Sequence, residues 1–446
     1  MRNTVAETAG RSAFARSRGV ENGETPSLRT ALAGRYQAVR QFSRTICETL
    51  VAEDYVIQTM PEASPTKWHL AHTSWFFETF VAKPRRRNHR PLHPQYAFLF
   101  NSYYNAAGKM HARPQRGLIS RPTVEETYAY RKHVDEIVEE LLATADQKEL
   151  EDLAPLIVLG LNHEQQHQEL MLTDIKHVFW MNPLRPVFRE EKIPPHFPAA
   201  EQSWRNFKEG IYSIGHDGPE FSFDNEGPRH QVYLQPFSLA SRLVTNREYL
   251  SFMEENGYRR PESWLSLGWT TVSERGWDAP LYLEQSDGKK WWMMTLSGMR
   301  EVRLDEPVCH VSYFEADAYA RWAGARLPSE AEWEVAAEVA PIDGNFADGG
   351  YFHPAPARDI SQPNGLAQLF GDVWQWTQSS YSPYPGYAPV AGALGEYNGK
   401  FMCNQYVLRG ASCATPKSHV RRTYRNFFPP DARWQFMGIR LAKDMR

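Results

Sequence analysis

His163 and His167 stand four apart in Gly-Leu-Asn-His-Glu-Gln-Gln-His-Gln-Glu, residues 160–169. On an α-helix that spacing sets two imidazoles one turn apart on the same face. Both neutral, they can hold a divalent metal ion. Leu156, Leu159, Leu170 and Met171 lie along or beside this face, so it points into a core. The plainer alternative is a pair of hydrogen-bonded polar residues in a helix bundle. A third ligand separates the two readings. Trp68, His72, Trp75 and Thr79 follow helical spacing with Phe76 beside them, so His72 shares an apolar face from which His69 is displaced. A histidine among tryptophans needs a partner, because burying its ring nitrogens unpaired is costly. A metal held by His72, His163 and His167 meets that need; so does a backbone carbonyl.

Three neutral imidazoles leave an ion its full charge and two or three open positions. That suits Zn(II) with an activated water, or Fe(II) with substrate and O2. Zinc hydrolysis would want a carboxylate base. Glu164 points about 100° away from His163 and fits a supporting role better. Tyr103 and Tyr104 supply phenols, which can deliver a proton, or an electron with it, to reduced oxygen species. Plain packing is the alternative for both.

These side chains need helices to place them. Leu28, Leu32, Tyr36, Val39, Phe42, Ile46 and Leu50 recur at helical spacing and predict a helix across 27–58. Ser64 and Pro65, as N-cap and first residue, open a second helix that runs to about 82. Residues 83–122 are basic and irregular, and carry Tyr103-Tyr104. A connection of that length is more often functional than a spacer. Thr123 and Glu126 form a capping box for a third helix, to about 145. The fourth, 147–180, holds the paired histidines. Together they predict a four-helix bundle over 27–182. A Pro-rich linker follows at 183–205. After it, short aromatic segments alternate with Gly, Pro, Asn and Asp, with helices expected at 246–256, 315–322 and 329–339. Residues 206–446 thus read as a loop-rich α+β domain, and the whole chain as α+β.

The 446-residue length allows two or three domains, and 42% hydrophobic residues allow large cores. A net charge of -3 gives no reason to expect nucleic acid. Cys47, Cys309, Cys403 and Cys413 include no Cys-x-x-Cys pair, which argues against a zinc knuckle or disulfide scaffold. No run of about 18 apolar residues exists, so no membrane span is expected. Residues 1–26 lack an apolar core segment and read as a disordered tail, not a signal peptide. A soluble cytoplasmic protein is the expectation; oligomeric state is left open.

His-Leu-Ala-His-Thr-Ser-Trp-Phe-Phe-Glu (69–78) and Asn-His-Glu-Gln-Gln-His-Gln-Glu (162–169) resemble the DinB-type bundle of the ergothioneine-biosynthesis sulfoxide synthases. The second half resembles the formylglycine-generating-enzyme fold through Arg-Leu-Pro-Ser-Glu-Ala-Glu-Trp-Glu (326–334), Phe-Gly-Asp-Val-Trp-Gln-Trp-Thr (370–377), Val-Leu-Arg-Gly-Ala-Ser (407–412) and Gly-Ile-Arg-Leu (438–441). The resemblance spans about 27–446. It implies nonheme Fe(II) on His72, His163 and His167. It also implies an O2-dependent reaction joining a thiol to C2 of the imidazole of hercynine, N-α-trimethylhistidine, as a sulfoxide. Gln166 would contact hercynine, as would the segment containing Asn426, Phe427 and Phe428. Mycobacterial-type members carry Asn-Trp-Asp at those three positions, so the acid that would face the trimethylammonium is missing here. Aromatic faces are a physical substitute. Tyr103 and Tyr104 resemble the subgroup that takes free cysteine, not γ-glutamylcysteine; Tyr381 and Tyr384 are alternatives for the proton donor. Arg113 and Arg116 are candidate anchors for the thiol substrate's carboxylate. Competing functions are a formylglycine-generating enzyme, an ovothiol-type synthase acting on histidine, and a non-catalytic ligand-binding scaffold.

Overall fold

The computed structural model describes residues 27–190, 192, 194–286, 290–358 and 365–445. The tail expected at 1–26 lies outside them. The chain divides into two compact units. The first comprises residues up to Met171 together with Asp217–Ser222 and Ala391–Glu396; the second comprises Leu172–His216, Phe223–Val390 and Tyr397–Arg446.

In the first unit, α1 (Leu28–Ile46) is capped by Ser27, whose hydroxyl accepts from the Thr30 amide. It stops well short of the expected residue 58. Local hydrogen bonds win there: Asp54 accepts from the Val51 amide, and the Tyr55 hydroxyl donates to the Cys47 carbonyl, turning the chain back. The second helix, α2, spans Thr66–Phe77 and has Pro65 at its cap position. Ser64 does not cap it; its hydroxyl accepts from Arg116 instead. Wider turns follow at Glu78–Ala82, then one ordinary turn at Lys83–Arg85. Such widened turns inside helices gather at functional sites. The irregular connection contains a short helix, Tyr96–Phe100, and two 3-10 turns, Asn105–Ala107 and Arg113–Leu118. The expected Thr123–Glu126 box caps α3 (Val124–Thr144).

The fourth helix, α4 (Gln147–Met181), continues across the boundary between units at Met171 and Leu172, not ending a domain near 182. The reason is side-chain partnership. Thr173 accepts from Gln435, and Lys176 lies 2.7 Å from His310 Nε2, so the last turns are bonded within the second unit.

The second unit opens with β1 (Trp204–Phe207), which claims the last two residues of the expected linker by pairing Trp204 with Ala240 and Arg205 with Leu239. Next come β2 (Gly210–Ile214), β3 (His230–Leu234) and β4 (Phe237–Ala240). Later strands are β5 (Leu283–Ser286), β6 (Lys290–Thr295), β7 (Gly298–Glu301), β8 (Trp374–Ser380), β9 (Tyr406–Arg409), β10 (Asn426–Phe428), β11 (Met437–Gly438) and β12 (Ala442–Asp444). Among the described residues they form sheets β1-β4-β12, β2-β3, β5-β6-β7 and β10-β9-β8-β11. Helices α5 (Asn246–Glu254), α6 (Ser266–Arg275), α7 (Tyr313–Trp322) and α8 (Glu330–Ala337) complete the unit; α6 was not anticipated.

The sequence motifs of this half do structural work. Arg326 makes a two-pronged pair with Glu332, which also boxes Ser329 at the start of α8. Gln375 on β8 accepts from both Trp333 and Arg440, tying three motifs at one buried amide. Gly410 has φ +100°, and a Cβ there would lie 2.5 Å from the Leu369 carbonyl oxygen, so that turn needs glycine. Among the described residues no helix is long and apolar enough to cross a membrane.

Candidate metal centre

Helices α2 and α4 bring His72, His163 and His167 together. All three are buried, and one nitrogen from each lies within 4.8 Å of the others. His72 Nδ1 is 2.6 Å from the Phe100 carbonyl oxygen. A carbonyl only accepts, so Nδ1 carries the proton and Nε2 presents a lone pair. That Nε2 faces His163 Nε2 at 3.1 Å. Two ligand nitrogens about 3 Å apart suit one cation with metal–nitrogen bonds of about 2.0–2.1 Å. His163 Nδ1 is buried without a partner among the described residues. Burial drives the His163 pKa down to about 4. Burial and then the charge of His163 hold His72 and His167 well below their ordinary value. Unprotonated imidazoles are what a divalent ion requires. The donor set fits a divalent transition metal.

His69 corrects the sequence reading. It is not turned away: its Nδ1 lies 2.8 Å from His167 Nδ1. The available signal was its position three residues before His72, since i and i+3 share a helix face. The contact leaves His167 Nε2 for a ligand. The ring of His72 is sandwiched. Trp68 stacks on one side at 4.5 Å and 13°, Trp75 on the other at 5.5 Å and 14°, and the Arg116 guanidinium lies 3.3 Å from the centre of the Trp68 ring.

Behind the histidines, Glu164 is fully buried. It accepts from Arg40 at 2.9 Å, Ser43 at 2.6 Å and Arg131. Arg40 also reaches Asp135 and Ser74, and Arg131 reaches Thr73 and the Arg40 carbonyl. From α4, this carboxylate therefore bonds α1 and α3 directly, and the two arginines carry the tie on to α2. Burial would raise its pKa, but Arg131 and Arg40 outweigh that and hold it at about 2. It is an acceptor for guanidiniums, not a base.

Of the phenols, Tyr104 is buried against Trp75, Phe76 and Phe80 at 5.4–6.3 Å. Tyr103 is half-buried, at φ 65°, and its hydroxyl accepts from Arg113. The two arginines are not equivalent. Arg113 is half-exposed beside Tyr103, whereas Arg116 is buried and donates to Ser64 and Ser102. Arg113 also donates to the Glu62 carbonyl, so both guanidiniums are engaged, and the carboxylate-anchor reading carries forward for each as a proposal. Gln166 is half-buried on α4 between the paired histidines.

In the second unit, Asn426, Phe427 and Phe428 form β10 and are half-buried. Phe427 stacks on Tyr381 at 4.0 Å. The alternative donors are engaged there: Tyr381 accepts from Asn225, and Tyr384 donates to Glu330 at 3.3 Å. Burial raises both phenols above their ordinary pKa.

Residues 35–171 match the profile of the DinB superfamily, and residues 206–359 and 351–445 match the sulfatase-modifying factor enzyme 1-like domain. A hercynine oxygenase of Mycolicibacterium smegmatis is 31% identical over 421 residues, covering 87% of this chain and 93% of its own. One from Mycolicibacterium thermoresistibile is 30% identical over 415 residues, covering 86% and 88%. A formylglycine-generating enzyme of Streptomyces coelicolor is 30% identical over 303 residues, covering 58% of this chain and 95% of its own.

Proposed function

The chain belongs to the hercynine oxygenase family, and from that membership we propose that it is an iron(II)- and O2-dependent sulfoxide synthase of ergothioneine biosynthesis. It joins the sulfur of cysteine to C2 of the hercynine imidazole. The observation that carries this reading is the buried group His72, His163 and His167, with one nitrogen from each within 4.8 Å of the others. These three would hold the ion. When bound, iron(II) supplies electrons and open coordination positions through which O2 reacts with a thiol.

The residues divide the remaining work. His72 is fixed in one tautomer by the Phe100 carbonyl, so its ligand atom needs no rearrangement. Gln166 projects from the turn between the paired ligands and is assigned to hercynine. Asn426, Phe427 and Phe428 stay candidates for hercynine through their match to the family's segment, since aromatic faces can receive a trimethylammonium group. Arg113 and Arg116 are assigned to the cysteine carboxylate. Tyr103 and Tyr104 are the proton-donor candidates, and Tyr103 is favoured. Arg113 donates to its hydroxyl oxygen, the atom that carries negative charge once the proton leaves. The enzyme acts on small molecules, without nucleic acid or membrane.

The test is anaerobic loading with iron(II), then hercynine with cysteine or γ-glutamylcysteine, then air, with products read by mass spectrometry. Hercynylcysteine sulfoxide is the expected product, and cysteine the preferred thiol. Preference for γ-glutamylcysteine overturns the substrate assignment. No sulfoxide from either thiol overturns the reaction.

A further inference from the structure

The loop carrying Tyr103 and Tyr104 is held from two sides. Asn101, buried, donates through Nδ2 to the carbonyls of Tyr104 at 3.1 Å and Gly108 at 2.9 Å. The amides of the same loop point elsewhere. Those of Asn105 and Ala106 donate to the two carboxylate oxygens of Glu396, at 2.9 and 2.8 Å. Consecutive amides aimed at one carboxylate form an anion-binding concavity. Glu396 lies some 290 residues along the chain, yet Ala391–Glu396 belongs to the first unit. The loop needs such a hold. Tyr103 sits at φ 65°, and Gly108, four residues past Tyr104, at φ 129°, so positive-φ backbone brackets the turn. A bulky residue stays in that region only where its surroundings impose it.

We propose that Glu396 is a positioning residue for the reaction. Its carboxylate seats the Asn105–Ala107 turn and thereby fixes the phenols of Tyr103 and Tyr104. The proposal rests on the reading of those tyrosines as proton donors. Glu396 touches neither substrate nor metal in this assignment, so its removal leaves iron binding and hercynine affinity intact and misplaces the proton. When proton delivery fails, cysteine is dioxygenated to its sulfinate and less sulfoxide forms.

The experiment uses the full-length iron-loaded enzyme with hercynine, cysteine and O2, and reads the sulfoxide-to-sulfinate ratio, which does not depend on how much protein is folded. Glu396→Ala is expected to lower sulfoxide kcat per bound iron by about ten- to a hundredfold. It should shift products toward sulfinate and leave the hercynine KM within about twofold. Glu396→Gln, which keeps one acceptor for one amide, should recover part of the ratio. In a Tyr103→Phe, Tyr104→Phe background, Glu396→Ala should add nothing further. If Glu396→Ala keeps the parental ratio and rate while the tyrosine variants are impaired, the Glu396 proposal is overturned and the tyrosine reading stands. If the tyrosine variants themselves keep the parental ratio and rate, that reading falls and takes the Glu396 proposal with it.

Discussion

His163 and Glu164 are neighbours on one helix, both polar and both buried, and the protein treats them in opposite ways. On the Glu164 side, charge is retained and matched: a carboxylate faces two guanidiniums and a hydroxyl, with Asp135 balancing the outer arginine. On the His163 side, charge is removed. Imidazoles converge unprotonated, and His163 Nδ1 is without a partner among the described residues. A buried ion pair is finished when the chain folds. A cluster of lone pairs is finished only by a cation from outside. The difference locates structure on one face of α4 and chemistry on the other.

Exchanging the amide for each residue in turn breaks the comparison most sharply. Glu164→Gln leaves Arg40 and Arg131 under-neutralised in the interior and should cost about 3–5 kcal/mol of folding stability. Urea unfolding of the metal-free protein measures this. His163→Gln should change metal-free stability by no more than about 1 kcal/mol, yet abolish stoichiometric iron(II) binding, read by chelator competition. Equal effects of the two changes on metal-free stability would erase the distinction.

Lys176 extends the comparison to the far end of the same helix. It too is buried, but among the described residues it has no carboxylate in hydrogen-bond contact; His310 and the rings of Tyr282 and Phe436 lie against it. Burial lowers its pKa from 10.5 to about 8. The native state therefore releases this proton before the unfolded chain does. The stability linked to it is complete above pH 10.5 and is lost as pH falls through about 8. Relative to Lys176→Met, the parental protein should gain up to about 3 kcal/mol between those limits. Urea unfolding of both proteins across that range tests the sign.

His69 gives a smaller effect. Its contact with His167 orients a ligand, and His69→Phe should weaken iron(II) binding by about 10- to 100-fold without changing the stoichiometry. Chelator competition on the full-length protein measures the shift, and unchanged affinity would count His69 as packing alone.

What the sequence displays follows from the range of each interaction. The Thr123–Glu126 box and the His163–His167 pair act within a turn, and both are legible from spacing. Ser64 has the type and place of a cap, but Pro65 holds the cap position and the Ser64 hydroxyl serves Arg116, which is distant in sequence. The partners of Glu164 are likewise 33 to 124 positions away, so its role as a tie between helices had no local signature. His69 is legible only through its i, i+3 relation to His72, since the apolar stripe by itself excludes it. In the second half, α6 escaped because Ser266–Arg275 mixes Gly, Thr and Trp with weak periodicity. The motifs at 326–334 and 370–377 were visible as patterns, but their convergence on the Gln375 amide is a property of the fold.

The sandwich around His72 has one more consequence. With two indoles stacked on the ring and Nδ1 bonded to the Phe100 carbonyl, turning the ring would break that hydrogen bond, and tilting it would break the stacks. The conformational entropy that a mobile ligand would surrender on capturing an ion has already been given up during folding. Binding at this position is therefore preorganised: the affinity of the centre is set partly by how well two tryptophans pack.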